Sequence, residues 1–374
     1  MNHRYPSAER VAALCDPDLR FVGRSAHMAT ILLILSFALV VSVALPLIRS
    51  PHWTVRVFDY PRIQKLFLVC VMIGLWLVTV DRWGVLNRIA LVLLCAAALH
   101  LVYVVWPYTI LGRKMVQRVV PHPAEQPLTL LVCNVLQTNR DHARMGRSIA
   151  QRRPDVVVLL ETDEVWRKGI CPSVANYPHR VEVPLPNTYG ILVYSRLPMA
   201  NHVVNHLVDP EVPSIIADVE YNGTVVRLYI LHPTPPVPQE SATSTERDAE
   251  VLLVGRLAAA YGKPCIVLGD LNDVAWSRTT KLFMKTSKLL DPRRGRGLFN
   301  TFHAHYPYLR WPLDHFFVSS QFRLVDMRVE PAVGSDHFPI SLSVVLRSDD
   351  PSAELVNDSD EQTQVSEKIA AGGR

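Results

Sequence analysis

The stretch "IVLGDLND", Ile266 to Asp273, decides the fold. An apolar run typical of a buried β-strand ends abruptly in Gly-Asp-Leu-Asn-Asp, which leaves carboxylates and a carboxamide at the end of a hydrophobic element. Similar apolar runs in the last two thirds of the chain also end in ionisable or amide residues. If these strands lie side by side, their polar ends meet at one edge, and that edge is where we expect the chemistry.

The pattern of apolar and turn residues in 127–346 is typical of two packed sheets. Short apolar strands, separated by turns, are predicted at 128–135, 155–161, 189–195, 214–221, 224–232, 264–270, 313–319 and 340–346. Helical patterns are fewer, at 141–153, 241–261 and about 276–290. Strands in runs with few helices between them favour an α+β fold, a four-layer α/β/β/α sandwich, over a doubly wound parallel sheet.

The first third of the chain is organised differently, since much of the 49% hydrophobic content crowds there. Three apolar runs, Met28–Ile48, Leu66–Val80 and Ile89–Trp106, approach or exceed the length that crosses a bilayer core of about 30 Å as a helix. Buried helices of a soluble protein would show a polar face. A cleaved signal would have a shorter apolar region, whereas the first run follows a polar tail at 1–27. The sequence predicts three transmembrane helices within 28–106, in a multi-pass protein of the cell (inner) membrane.

Positive charges do not choose the side of the membrane on which the domain lies. Six lysines and arginines flank the spans on the side of the N-terminal tail, and seven flank them on the side of the domain. The orientation stays open, and we prefer the extracytoplasmic side.

Residues 107–126 are predicted to be a linker, and the acidic segment 347–374, which has few apolar residues, is expected to be disordered. The net charge of +5 is mild, and the six cysteines form no spaced disulfide or metal framework.

The candidate site residues share a position at or beside a predicted strand end. They are Asn134, Glu161, His232, Asp270, Asn272, Asp314, Asp336 and His337. Each alone is explained as a turn former or helix cap. Together they make a carboxylate cluster that needs a cation, and oxygens from Asn134, Glu161 and Asp336 suit Mg²⁺ or Mn²⁺ better than zinc. The chemistry implied is metal-assisted attack of water on a phosphate ester.

The order of these motifs resembles the endonuclease/exonuclease/phosphatase superfamily of DNase I-like, metal-dependent enzymes. The resemblance runs from about Leu128 to Leu346 and is strongest in "GDLN" and "GSDHFPI". With three spans ahead of it, the domain looks like a bacterial membrane-anchored branch.

The resemblance also implies roles for the individual residues. Glu161 would be the main metal ligand, supported by Asn134 and with Asp336 on the metal side. Asp270 would orient or deprotonate the attacking water, and Asn272 would position the phosphate or nucleophile. Asp314 would be the partner of an imidazole, and His337 and His232 would act on the phosphate.

Substrate class stays open between nucleic acid and phospholipid. The basic stretch from Arg278 to Arg296 could follow a nucleic-acid backbone or an anionic lipid surface, or could be a solvated helix face. Tyr306, Tyr308 and Trp311 could stack on a base or enter lipid, or simply pack under a loop. The leading hypothesis is a nuclease-like phosphodiesterase. The alternatives are a sphingomyelinase-like phosphodiesterase, a phosphomonoesterase, or a membrane-bound binding module with a degenerate site; the expected partners are substrate and bilayer, with no protein partner.

Overall fold

The computed structural model describes residues 17–79, 83–347 and 357–373. Its helices are α1 (Pro17–Ala44), α2 (Trp53–Arg56), α3 (Arg62–Thr79), α4 (Val85–Val105), α5 (His142–Arg152), α6 (Glu164–Ile170), α7 (Thr245–Tyr261), α8 (Arg278–Ser287) and α9 (Ser359–Gly372). Its strands are β1 (Leu128–Asn134), β2 (Val156–Leu160), β3 (His179–Val183), β4 (Ile191–Ser195), β5 (Met199–Asn205), β6 (Ser214–Tyr221), β7 (Thr224–Leu231), β8 (Cys265–Asp270), β9 (Asp314–Val318), β10 (Phe322–Val329) and β11 (Ile340–Leu346). The chain divides into two units, one from Met1–Arg49 and Pro61–Val104, the other from Ser50–Tyr60 and Val105–Arg374.

The first unit holds three apolar helices. His27–Leu47, Arg62–Thr79 and Val85–Tyr108 are long and apolar enough to cross a membrane. No more than 33% of any of these spans is buried, so most of their apolar side chains lie on the outer surface. Helix α1 already begins at Pro17, inside the predicted polar tail, and the rest of that tail, residues 1–16, lies outside the described residues.

Polar positions inside this unit are paired. The indole Nε1 of the buried Trp76 donates to Ser36 Oγ at 2.8 Å, and Lys65 Nζ donates to the carbonyl of Ser42 at 2.6 Å. Such pairing lets a helix carry a polar group in an apolar surrounding, where an unmade hydrogen bond is costly.

The second unit contains two mixed sheets. Six strands follow the order β10-β11-β1-β2-β4-β3, and five follow the order β5-β6-β7-β8-β9. Each sheet has one parallel pair, β1 with β2 and β7 with β8, and its other neighbours are antiparallel. The carboxyl ends of each parallel pair therefore lie together, beside the amino end of an antiparallel neighbour.

Three apolar clusters separate four layers. Side chains such as Leu130, Val158, Leu228 and Leu268 fill the space between the sheets. A second cluster packs the five-stranded sheet against α7, α8 and α9, and a third packs the six-stranded sheet against α5 and α6. Successive residues of one strand pack in different apolar clusters, because side chains point alternately to the two faces of the sheet. The predicted α/β/β/α sandwich is confirmed.

Two predicted boundaries change in the structure. Residues 50–60, assigned from sequence to the membrane region, belong to the second unit, where Trp53 N donates to the carbonyl of Ala242 and Ser244 N donates to the carbonyl of Pro51. The predicted linker 107–126 also lies along the domain, since Leu324 exchanges backbone hydrogen bonds with Gln117 and Val119. Residues 50–60 and 107–126 are therefore both part of the second unit.

The predicted disorder of 347–374 is wrong for residues 359–372, which form α9. Asp358 and Glu361 make a reciprocal capping box at its start. Val365 is buried against the α7 and α8 layer, and Lys285 Nζ lies 2.6 Å from the Glu361 carboxylate. A single buried valine and a few ion pairs are too weak a pattern to predict a docked helix from composition. Residues 348–356 and 374 lie outside the described residues.

Candidate active site

The ends of β1 and β2 bring Asn134 and Glu161 together. Asn134 closes β1, and Glu161 follows β2 with a left-handed φ of 57°. Asn134 Nδ2 donates to Glu161 Oε1 at 2.7 Å and to Asp270 Oδ2 at 3.1 Å, while its Oδ1 accepts from the backbone of Leu136. Because both ends of the carboxamide are engaged, Asn134 holds Glu161 in place and leaves the carboxylate to face the site.

The end of β8 carries Asp270, at the centre of the site. Its register partner is Asp314, the first residue of β9, so the antiparallel pairing itself sets the two carboxylates side by side. Gly269 has a φ of 139°, and a Cβ there would lie 1.9 Å from the carbonyl oxygen of Leu231. Glycine is required because β7 and β8 approach closely at this point. The "GDLN" motif therefore combines a close backbone approach with a buried carboxylate.

His337 links the two carboxylates. Its Nδ1 lies 2.8 Å from Asp314 Oδ2, and its Nε2 lies 3.5 Å from Asp270 Oδ2. Burial acts to lower the pKa of His337, but the Asp314 and Asp270 carboxylates outweigh it and raise the pKa to about 10. Burial raises the pKa of Asp314, and His337 opposes that shift. The pair is therefore an imidazolium held by a buried carboxylate, with a proton on Nε2 directed at the site.

His232 follows β7 and faces the same centre. Its Nε2 lies 4.0 Å from Asp270 Oδ2, and its ring centroid lies 5.5 Å from that of Tyr189. The Nδ1 atom is buried and, among the described residues, has no hydrogen-bond partner. An imidazole packed in this way keeps a polar atom available for a ligand.

Asn272 and Asp336 occupy the rim. Asn272 has a left-handed φ of 50°, its backbone N donates to Asp270 Oδ1 at 2.9 Å, and its Nδ2 donates to the carbonyl of Pro233 at 2.9 Å. The amide thus ties the end of β8 to the residue after His232. Asp336 Oδ1 accepts from Ser335 Oγ at 3.3 Å, and the Asp336 charge acts on the pKa of Glu161.

Two hydrogen-bond donors that the sequence did not indicate hold the backbone at Asn272, just after β8. Tyr60 Oη and Arg247 Nη1 both donate to the carbonyl of Asn272, at 2.9 and 2.7 Å. Arg247 is buried and paired with Asp248 at 2.7 Å, and Lys368 of α9 binds the same carboxylate at 2.5 Å. No sequence pattern could have indicated Tyr60, because it binds a backbone oxygen 212 positions away.

The donor set accommodates a hard divalent cation. Burial raises the pKa of Glu161, while His232 and Asn134 oppose that shift. A cation would favour the ionised form of such a carboxylate, and Glu161 and Asp336 offer the oxygen ligands it prefers. Asp270, Asp314 and His337 also bring ligand atoms within 4.8 Å of one another, so this cluster could hold a metal ion as well.

Several basic side chains that the sequence offered for substrate binding already have partners within the protein. Within the basic stretch, Arg278 binds Gln364, Lys285 binds Glu361, and the buried Arg293 pairs with Asp291 at 2.9 Å. Helix α9 therefore binds two of the basic side chains that the sequence offered for contact with nucleic acid or lipid. In the aromatic loop, Tyr306 and Tyr308 are 56% and 85% exposed.

The base of the aromatic loop reaches the site. The ring centroids of Phe302 and His337 are 4.9 Å apart, and Trp311 lies 6.0 Å from Phe302 and 5.9 Å from Tyr60. The loop that carries the exposed tyrosines therefore begins beside His337, at the edge of the candidate active site.

Several solved structures are similar to this chain at low sequence identity. An endonuclease/exonuclease/phosphatase from Beutenbergia cavernae DSM 12333 is 21% identical, with a TM-score of 0.51, over 63% of this chain and 76% of that one. Humanized D. rerio TDP2 is 16% identical, with a TM-score of 0.48, over 59% and 99% of the two chains. A mannosyl-6-phosphatase of Bacteroides thetaiotaomicron VPI-5482 is 18% identical, with a TM-score of 0.47, over 59% and 100%.

The sequence itself matches a family model. A search of the curated proteins found no match. The model of the endonuclease/exonuclease/phosphatase family matches residues 131–337, more than half of the chain, and this range contains all eight candidate site residues. The chain belongs to the endonuclease/exonuclease/phosphatase family, and its domain has the fold of a phosphate-ester hydrolase.

Proposed function

We propose that this protein is a membrane-anchored, divalent-metal-dependent phosphoesterase that hydrolyses phosphodiester bonds by attack of water. One observation carries the proposal: His337, His232 and Asn134 converge on a single oxygen, Asp270 Oδ2, at 3.5, 4.0 and 3.1 Å. A carboxylate fixed by three nitrogens is oriented to hold and deprotonate a water molecule.

The geometry supports the following roles. Mg²⁺ or Mn²⁺ bound by Glu161 and Asp336 would polarise the phosphoryl oxygens. Asp270 accepts a proton from the water, and His337 donates from Nε2 to the oxygen on which charge develops, while Asp314 accepts a hydrogen bond from Nδ1 of the same ring. His232 binds a phosphoryl oxygen. Asn272 holds Asp270 and the segment after His232 in fixed relative positions through its two hydrogen bonds. Both residues of the His337–Asp314 pair are buried.

A phospholipid phosphodiesterase is the second candidate. The exposed aromatic loop on the wall of the site and the three candidate spans favour a substrate that lies in a bilayer. A nucleic-acid diester is suggested by similarity to TDP2, for which a complex with single-strand DNA product is known, and a monoester by similarity to the mannosyl-6-phosphatase. A binding module with a degenerate site would not require the paired His337 and Asp314.

The experiment is hydrolysis by the full-length protein in detergent. The whole chain is needed because residues 50–60 and α9 pack on the domain. Plasmid DNA, sphingomyelin, bis-p-nitrophenyl phosphate and a sugar phosphate are tested with Mg²⁺, Mn²⁺ or EDTA, beside His337→Ala. Metal-dependent turnover of a diester that the variant loses supports the proposal, and the preferred substrate identifies the branch. Turnover of the monoester alone, or of none, contradicts it.

We also propose that the domain lies outside the cytoplasm, anchored in the cell (inner) membrane. The packing of residues 50–60 on the domain requires both to be on one side. Alkaline phosphatase fused after Arg347 and, separately, inserted after Pro51 should be active in both positions. Activity in neither position would place the domain in the cytoplasm, and activity in only one would contradict the three-span topology.

A further inference from the structure

A cavity of about 350 Å³ lies in the second unit, apart from the candidate active site. It is lined by Ile110, Lys114, Arg118, Gly295, Arg296, Phe299, Leu324, Asp326 and Met327. None of the eight candidate site residues lines it. Its size falls within the range of small-molecule sites, and its lining combines cations with apolar side chains.

The cationic wall is built from two segments. Lys114 and Arg118 come from the connector after the third span, and Arg296 comes from the loop after α8. Gly295, at a φ of 75°, holds the two segments together: its backbone N donates to the carbonyl of Pro107 at 2.8 Å, and a Cβ there would lie 2.6 Å from the carbonyl oxygen of Gly112. The cations are thus fixed relative to one another by the fold.

Most of this positive charge is not neutralised by protein. Arg296 donates to the carbonyls of Val116 and Pro292, and Arg118 Nε donates to the carbonyl of Val325 at 3.2 Å. Lys114 makes no hydrogen bond or ion pair with the residues that the structure describes. Burial, and then the neighbouring Arg118, lower the pKa of Arg296, as expected for two guanidinium groups that share a site without an anion.

The one carboxylate in the wall is already compensated. Asp326 lies 2.9 Å from Arg152 and 2.6 Å from Arg328, both outside the cavity lining. Its negative charge is therefore committed to those arginines, and the field inside the cavity is set by the three cations.

The apolar part of the lining continues toward the membrane along the chain. Ile110 lines the cavity only two residues after the third candidate span, which ends at Tyr108. Ile110 and Leu111 are 78% and 69% exposed. Exposed aliphatic side chains at this point of the chain are expected at the level of the lipid headgroups.

We propose that this cavity binds the phosphate of an acidic phospholipid from the surrounding bilayer. Lys114, Arg118 and Arg296 contact the phosphate oxygens, and Ile110, Phe299 and Met327 contact the glycerol and the first methylenes of the acyl chains. The lipid bridges the connector to the edge strand β10 and stabilises the docked domain. This site is independent of the phosphoesterase activity.

The test is thermal unfolding of the full-length protein in a neutral detergent. Dioleoyl phosphatidylglycerol is titrated beside dioleoyl phosphatidylcholine and inorganic phosphate, and native mass spectrometry counts the lipid retained. Lys114→Gln should raise the phosphatidylglycerol concentration needed for half-maximal stabilisation about fivefold, since a basic residue near an anionic headgroup contributes about 1 kcal/mol. Lys114→Gln with Arg118→Gln should raise it by about twentyfold or more.

Two variants control for charge and fold. Arg113→Gln removes one exposed charge from the same connector without touching the cavity and should leave the titration unchanged. Lys114→Arg keeps the charge and should behave as the wild type. An equal loss in Arg113→Gln would indicate diffuse surface attraction and overturn the site. Stabilisation by inorganic phosphate at the same concentrations would assign the cavity to a free anion instead of a lipid, and no effect of phosphatidylglycerol would overturn the proposal.

Discussion

The two sheets meet at one edge but contribute different chemistry to it. The six-stranded sheet supplies Asn134, Glu161 and Asp336, whose oxygens suit a hard cation. The five-stranded sheet supplies His232, Asp270 and Asp314, which move a proton in the function we propose. His337 crosses between them, since it precedes β11 of the first sheet and bonds Asp314 of the second. Neither sheet holds the His337–Asp314 pair alone, because only the packing of the two sheets brings these residues together.

The largest expected effect comes from the group that crosses between the sheets. His337→Gln should lower kcat for the best substrate about a thousandfold, because positioned proton donors contribute about 10² to 10⁴. The metal concentration for half-maximal activity should not change. His305→Gln, an exposed histidine on the neighbouring loop, is the matched control. A large shift in metal requirement would place His337 among the metal ligands and break the comparison.

On the six-stranded side, Glu161→Gln should act through the metal. We expect at least about a hundredfold weaker binding of Mg²⁺ or Mn²⁺, because loss even of an outer-shell partner costs 10- to 100-fold. Isothermal titration with Mn²⁺, and activity against metal concentration, measure the effect. Glu164→Gln, three residues away and exposed on α6, is the control. Unchanged metal binding with reduced kcat would contradict the division of labour between the sheets.

On the five-stranded side, Tyr60→Phe should reduce kcat about three- to tenfold without changing metal affinity. It removes one of two donors to the Asn272 carbonyl, and a single hydrogen bond contributes about 1 kcal/mol. Arg247 would still hold the loop, which keeps the effect small. Tyr103→Phe, on the exposed surface of the third span, serves as the control. An unchanged kcat would mean that Arg247 alone positions the loop.

The smallest expected effect on catalysis comes from Glu250 in α7, behind the five-stranded sheet. Burial, and then Asp209, raise the pKa of Glu250 to about 8. From about pH 4.5 to 8 the unfolded chain ionises this group while the folded protein keeps it protonated, so folded-state stability falls as pH rises. Glu250→Gln should therefore raise the unfolding free energy above pH 8 by on the order of a few kcal/mol, and by little at pH 4.5. Turnover should be unchanged; equal stabilisation at both pH values would contradict a buried ionisation.

Much of the architecture was readable from local pattern. Apolar runs such as the one ending in Asp270 predicted strands, and runs such as Met28–Ile48 predicted spans, because burial and membrane insertion both select apolar residues over a fixed length. The prediction of a polar cluster at strand ends rested on the same logic. Local pattern could not predict α9, whose docking depends on partners such as Lys285 and Asp248 elsewhere in the chain.

The sequence by itself determined which residues end the strands and the three apolar spans that precede them. Only the tertiary structure decided the register that pairs Asp270 with Asp314, the capture of His337 by Asp314, and the two donors on the Asn272 carbonyl. The reason is physical. Secondary structure follows from the periodicity of neighbouring residues, whereas a hydrogen bond between Tyr60 and a backbone oxygen has no signature in the identity of either residue and exists only once the chain is folded.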